Sequence, residues 1–94
     1  MYVKVNLDDI SYIEELKDYV IIHLSDKRVV TRMTVKGIEE LLPSSKFIRV
    51  NKSYIVNRYK IDSFDNNDVF IGETEISIGA SYREAVLAVL LGRN

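Results

Sequence analysis

The chain has 94 residues, enough for one domain with a real core and too few for two. It is 47% hydrophobic and 29% charged with four glycines and one proline, which excludes a disordered, collagen-like or low-complexity chain. Thirteen Lys+Arg against fourteen Asp+Glu leave a formal net charge of -1, and that total taken alone speaks against a nucleic-acid binder, whose mark is a basic domain.

Tyr2–Val5 alternates weakly and reads as a short strand, followed by a turn over Asn6–Asp9. Ile10–Ile13 and Tyr19–Leu24 are strand-like, with Glu14, Glu15, Lys17 and Asp18 between them. In the second of these, Val20, Ile22 and Leu24 form one face and Tyr19, Ile21 and His23 the other, so both faces are expected to be covered. Ser25–Arg28 is a hairpin turn into Val29–Arg32. Thr34 is placed to cap a helix in which Val35, Ile38 and Leu42 recur on one side, and Pro43 stops it.

Short strands are then expected at Phe47–Val50, Tyr54–Val56 and, more weakly, Ile61–Phe64. Asp65–Asp68 is a turn leading to Val69–Ile71, and Gly72–Thr74 a turn leading to Glu75–Ile78. The last element is a helix from about Tyr82 to Leu91, with Ser81 and Glu84 spaced as a capping box and Gly92 as its C-terminal stop. The pattern is mainly β with two short helices, and it leaves the topology open. Ala85–Leu91 is apolar on all sides. Either it is covered within the domain, or it packs on another domain or subunit as the interface of a protein-interaction or dimerisation module.

Catalytic chemistry is missing. There is no cysteine, so disulfides, thiolate catalysis and Cys-ligated metals are excluded, and this usage fits a reducing compartment. The single histidine, His23, sits mid-strand, where it reads as a half-buried or cross-strand-paired side chain; no second histidine exists to build a metal site. The pairs Asp8-Asp9 and Glu14-Glu15 point to opposite sides of an extended chain and do not converge. Asp62, Asp65 and Asp68 lack calcium-loop spacing, and Gly72 and Gly79 do not make a phosphate loop. The chain is expected to be no enzyme, with no cofactor and no metal. No signal-peptide core or membrane-length apolar run is present, so a soluble, cytoplasmic protein without membrane contact is expected.

The net charge hides a partition. Residues 27–60 hold nine bases (Lys27, Arg28, Arg32, Lys36, Lys46, Arg49, Lys52, Arg58 and Lys60) and two acids, for +7. The flanking segments 1–26 and 61–94 each hold two bases and six acids, for -4 apiece. Within 46–60, five bases are interleaved with Asn51, Ser53, Asn57 and Tyr59, the residue types that contact phosphate and read base edges. The charge alone also suits a solvated surface, with Arg58 and Lys60 paired to Asp62 or Asp65.

Phe47-Ile48-Arg49-Val50-Asn51-Lys52-Ser53-Tyr54-Ile55-Val56-Asn57 resembles the central motif of the LytTR family, the LytR/AlgR-type DNA-binding domains of bacterial response regulators. Phe47, Arg49, Ser53, Tyr54, Val56 and Asn57 match it. Asn51 stands where the family usually has histidine, and Lys52 where it often has arginine. The resemblance extends through Asp9–Glu14, the helix from Thr34 to Leu42 and the closing segment Ile76–Arg83.

The resemblance implies a mainly β, LytTR-like fold of small antiparallel sheets with two short helices. It implies double-stranded-DNA binding without a helix-turn-helix, through loops and strand ends that enter successive major grooves. It further implies paired repeats bound as a dimer or tandem copies, the isolated domain being either monomeric or not. Residues 1–94 would be one such domain, the C-terminal part of a longer two-component regulator with an N-terminal receiver domain, with the front of its first strand trimmed. Carried over position by position, the implied contacts are Lys17 and Asp18 before the second strand, Asn51 and Lys52 centrally and Arg83 distally. Arg49 and Ser53 from the basic segment join them. Asp18 departs from the pattern, because a carboxylate can accept from cytosine but repels phosphate.

Overall fold

The computed structural model describes residues 2–92. Eight strands run in chain order: β1 (Ile10–Leu16), β2 (Tyr19–Leu24), β3 (Arg28–Thr31), β4 (Phe47–Arg49), β5 (Tyr54–Asn57), β6 (Ser63–Phe64), β7 (Asp68–Ile71) and β8 (Thr74–Ser77). Helix α1 (Val35–Leu41) lies between β3 and β4, and α2 (Arg83–Leu90) follows β8. The strands form two antiparallel sheets, one of five strands in the order β3-β2-β1-β5-β4 and one of three in the order β6-β7-β8. This is the mainly β fold with small antiparallel sheets and two short helices that the sequence predicts.

Period-2 patterning decides how the sheets are covered. On β5, the adjacent residues Ile55 and Val56 are 1% and 0% exposed, yet they belong to different cores. Ile55 joins Ile10, Ile13, Val20, Ile22 and Phe47 beneath Val35 and Ile38 of α1. Val56 joins Val50 against Val69, Ile71 and Ile76 of the small sheet and Val86 of α2. The five-stranded sheet is thus sandwiched, with α1 on one face and the small sheet and α2 on the other. Each fully buried Val or Ile contributes about 1.5–3 kcal/mol, so the two cores together fix the relative placement of the sheets.

Local chemistry explains most of the boundaries. Thr34 Oγ1 accepts from the Gly37 N–H at 2.9 Å, the expected N-cap of α1. Gly92 takes φ +69° and its N–H reaches the Val89 carbonyl at 3.2 Å, closing α2 as predicted. Buried Asn57 donates from Nδ2 to the Ile10 carbonyl (2.9 Å) and accepts from the Tyr59 N–H (3.0 Å), holding a 3-10 turn over Arg58–Lys60.

Three sequence expectations fail. Tyr2–Val5 is not a strand; no neighbouring backbone pairs with it, and only Val5 packs on the first core. The carboxylates after Ile13 do not open a loop, because β1 continues through Glu14 and Glu15 to Leu16. The Ser81–Glu84 capping box does not form. A turn in which the Tyr82 N–H donates to the Gly79 carbonyl (2.9 Å) moves the cap to Tyr82, which makes no side-chain capping bond.

Candidate nucleic-acid interface

Strands β4 and β5 are joined by Val50–Ser53, and the sequence of this loop builds its own scaffold. Val50, 0% exposed, anchors it in the second core, and its carbonyl accepts from the Gly79 N–H at 2.8 Å. Asn51 Oδ1 accepts from the Ser53 N–H at 2.8 Å, a side-chain-closed turn, while its Nδ2 donates to the Ser77 carbonyl at 2.8 Å. The guanidinium of Arg49 binds the loop from below. Its Nε donates to the Asn51 carbonyl (3.2 Å), Nη2 to the Lys52 carbonyl (2.6 Å) and Nη1 to Glu39 Oε1 (3.0 Å). Lys52 is left at the apex, exposed, and without an ion-pair partner among the described residues.

The β1–β2 hairpin ends beside this loop. Leu16 pairs with Tyr19, so Lys17 and Asp18 form a two-residue tip, with Lys17 in the left-handed region at φ +53°. The Glu15 N–H donates to the Ser53 carbonyl at 2.8 Å, which locks the base of the tip to the loop. On the other side, the turn before α2 is pressed against it: a β-carbon on Gly79 would stand 3.4 Å from Asn51 Cβ and 3.2 Å from Tyr82 Cδ2. Tyr82 in turn lies under the Arg49 guanidinium, 6.0 Å from Cζ to ring centroid. Arg83, the first residue of α2, donates through Nε to the Asn66 carbonyl at 2.7 Å, in the turn before β7.

Three segments far apart in the chain, 17–18, 50–53 and 79–83, therefore meet at one end of the molecule, and all seven sequence-derived candidates lie in them or, for Arg49, directly beneath. The structure divides them by role. Lys17, Asp18 and Lys52 are exposed, Ser53 and Arg83 are half-exposed, and Arg49 and Asn51 direct their polar atoms into the protein. The sequence weighs Gly79 only as a phosphate-loop glycine, which it is not, and as part of the closing segment; its close approach to Asn51 and Tyr82 is signalled only by its place two residues after a strand and three before a helix cap.

The basic segment does not form one face. Strand direction sends Arg32, Lys36 and Lys52 to the end carrying the 17–18 tip, and Lys27, Arg28, Lys46 and Arg58 to the opposite end. At that far end Lys46 Nζ meets Asp8 Oδ1 at 2.5 Å, and the Lys46 ammonium holds the Asp8 carboxyl below its ordinary 3.8, first by this hydrogen bond and then by its charge. Arg58 stacks on Tyr59 (5.3 Å) rather than pairing with an acid. Asp62 and Asp65 accept instead from backbone N–H groups of Gly72 and of Asn67 and Asp68.

His23 is cross-strand-paired, as its strand position suggests. Its Nε2 lies 2.6 Å from Glu14 Oε1, its ring stacks on Tyr12 at 4.2 Å, and Glu14 Oε2 accepts from the Tyr54 hydroxyl at 3.0 Å. Burial, then the Glu14 carboxylate, push the Tyr54 hydroxyl above its ordinary 10.0. Among the described residues no group of three or more His, Asp or Glu side chains could hold a metal ion, and no helix is long and apolar enough to cross a membrane.

The family model described as the LytTr DNA-binding domain matches residues 1–90. Among solved structures, a LytTr DNA-binding domain from Bacillus cereus is similar in fold, with a TM-score of 0.83 at 19% identity, over 94% of this chain and 86% of that one. No curated protein sequence matches the chain.

Proposed function

Because the chain belongs to the LytTR family of DNA-binding domains, we propose that it reads a specific double-stranded sequence as the output domain of a two-component transcription regulator in the cytoplasm. The observation that carries this reading is the convergence of the 17–18 tip, the 50–53 loop and the 79–83 turn on one end of the fold, with Lys52 at the apex. Lys52 can approach guanine O6 and N7, although without the rigid fork of an arginine. Arg83 sits in the first turn of α2, where a cation is locally unfavourable; a phosphate or base acceptor offsets that. Its Nε is committed to the Asn66 carbonyl, which fixes the guanidinium so that its Nη groups can face the duplex. Lys17 and Ser53 supply phosphate contacts, and Asp18 accepts from cytosine N4 or disfavours other bases.

In this reading Arg49 and Asn51 act at one remove. Asn51 Oδ1 and Nδ2 each already hold one bond within the protein, which turns the amide toward its own backbone and makes the shape of the loop its main contribution, ahead of adenine readout. The domain engages successive major grooves and binds paired repeats as a dimer or tandem copies, switched by an N-terminal receiver domain. The apolar α2 fits this reading better than it fits an interaction module: Val86 and Leu87 are buried and Leu90 packs on the second core, so the helix spends its apolar side inside the domain.

Selection from a random duplex library tests the reading directly. The expected result is a defined motif whose repeats are spaced by about one helical turn, with each of Lys52→Ala and Arg83→Ala losing about 1–3 kcal/mol on the selected site. Enrichment of no motif, or parental affinity in both variants at matched salt, overturns it.

A further inference from the structure

The five-stranded sheet carries a second basic feature at the same end, along its β3 edge. Edge strand β3 pairs with β2 in the register Val20↔Thr31, so Arg32, the next residue, stands level with Tyr19 beside the Lys17–Asp18 tip. The Arg32 guanidinium lies over the Tyr19 ring, 6.0 Å from Cζ to centroid, and Tyr19 is itself 41% exposed. A cation–π contact of this kind draws the guanidinium toward the ring face while its N–H groups stay free for an acceptor. Four residues on, where the chain leaves β3 at this end and enters α1, Lys36 in the first turn of the helix is also exposed. Neither cation meets a carboxylate within ion-pair reach among the described residues, in contrast with Lys46 and Arg49, which do.

Neighbouring strands are spaced about 4.8 Å apart, so the three steps from β3 to β5 separate Arg32 from the Lys52 loop by about 14 Å, with Lys17 between them. We propose that Arg32 and Lys36 form a phosphate-binding flank that extends the DNA contact past the hairpin tip toward the β3 edge. The proposal rests on the DNA-binding reading above and adds to it a contact with the sugar-phosphate backbone, carrying no base information of its own. Two features make phosphate the fitting partner: the guanidinium is held near an aromatic ring without being neutralised, and it stands in the strand order beside the cations of the adjacent loops. Exposed Asp18 and Glu15 nearby keep the flank from being a general anion surface and favour a partner already docked by Lys52 and Arg83.

The test is the salt dependence of binding to the selected duplex and to a scrambled one. Each phosphate neutralised adds about 0.9 to the slope of log K against log [salt]. Arg32→Gln with Lys36→Gln should reduce the slope by about 1.8, weaken both duplexes by the same factor and leave the selected motif unchanged. Trimming base pairs from one end of the site should produce the same loss in the parent and no further loss in the double variant. Lys27→Gln, at the opposite end of the sheet, should leave the slope at its parental value, and thermal melts of all variants check that they fold.

A double variant that folds and keeps the parental slope overturns the inference. If Lys52→Ala then still loses specific affinity, the DNA-binding reading stands alone. If the parent itself shows no salt-dependent duplex binding, the broader reading fails with it.

Discussion

The guanidinium of Arg49 donates to the backbone carbonyl of Lys52 over 2.6 Å, so the residue at the apex of the β4–β5 loop is held by a side chain three positions before it. The same guanidinium reaches the Asn51 carbonyl and Glu39, and its side chain is only 19% exposed. A planar fork places its donors on three separate nitrogens and reaches all three acceptors; the three N–H groups of an ammonium radiate from one nitrogen and match this spacing poorly. Hydrogen bonds from charged donors contribute about 1.5–3 kcal/mol where they are partly buried, and the exposed Glu39 pair adds little.

Arg49→Lys should therefore destabilise the domain by about 1–2 kcal/mol and Arg49→Ala by about 2–3 kcal/mol, read from denaturant midpoints. Both should weaken duplex binding while leaving its salt slope unchanged if, as proposed, Arg49 orders the loop rather than neutralising a phosphate. A slope reduced by about one unit would instead make Arg49 a direct phosphate ligand.

Gly79→Ala should act on the same loop from the other side. Removing a glycine's unfolded-state freedom stabilises by about 0.4–1 kcal/mol, but the new β-carbon would sit 3.2 Å from Tyr82 Cδ2. Tyr82 packs on the second core and lies under Arg49, so its ring has little room to give. Overpacking of this kind costs about 1–3 kcal/mol, and the net expectation is a loss of about 1 kcal/mol. The backbone of Asn51 would move with it, so affinity for the selected duplex should fall by more than the stability does. Parental affinity in a folded Gly79→Ala protein would show that the 79–82 turn does not position the loop.

Much of the fold is legible in the chain because its strands are short, apolar and punctuated by turn residues, and because Thr34 and Gly92 have one obvious use each. The capping box at Ser81 fails locally, to the turn that moves the cap to Tyr82, but the other failures share a cause: they depend on what lies across the sheet. Glu14 and Glu15 look like loop residues until His23 and Tyr54 are placed beside Glu14, which makes a carboxylate affordable inside a strand. Tyr2–Val5 has the alternation of a strand but no partner to pair with. The +7 segment is contiguous in sequence, yet antiparallel strands carry its ends to opposite poles, so only part of it can serve one surface. The candidates Arg49, Asn51, Lys52 and Ser53 are visible in the motif Phe47–Asn57, whereas their division into exposed and inward-bonded groups is not, because it depends on bonds to Glu39 and Ser77.

The Glu14 cluster predicts behaviour in alkali. Tyr54 titrates above its ordinary 10.0, chiefly because of burial and then because its hydroxyl hydrogen-bonds to the Glu14 carboxylate. The folded state thus holds this proton more tightly than the unfolded chain. The resulting stability is fully present below pH 10.0 and falls as pH rises through the folded value. Glu14→Gln removes the carboxylate's share and leaves the burial share, so the phenolate absorbance of Tyr54 should appear at lower pH than in the parent, though still above 10.0. The same variant should lose about 1–2 kcal/mol at neutral pH as the bonds to Tyr54 and His23 weaken. An unchanged Tyr54 titration would assign the whole shift to burial.

At the opposite pole, Asp8 and Lys46 predict behaviour in acid. The Lys46 ammonium holds the Asp8 carboxyl below 3.8 by a hydrogen bond and by its charge, with a smaller contribution from Lys60. A lowered folded value means that the unfolded chain binds this proton more readily. The stabilisation is present above pH 3.8 and is lost as pH falls through the folded value. Lys46→Met should return the Asp8 titration, followed by its carboxyl carbon shift in NMR, most of the way to 3.8, leaving the remainder to Lys60. Because both groups are open to solvent, added salt should move the parent in the same direction. The pair lies at the pole away from Lys52, so the variant should bind the selected duplex with parental affinity and salt slope. A weakened duplex affinity in Lys46→Met would place DNA at both ends of the five-stranded sheet.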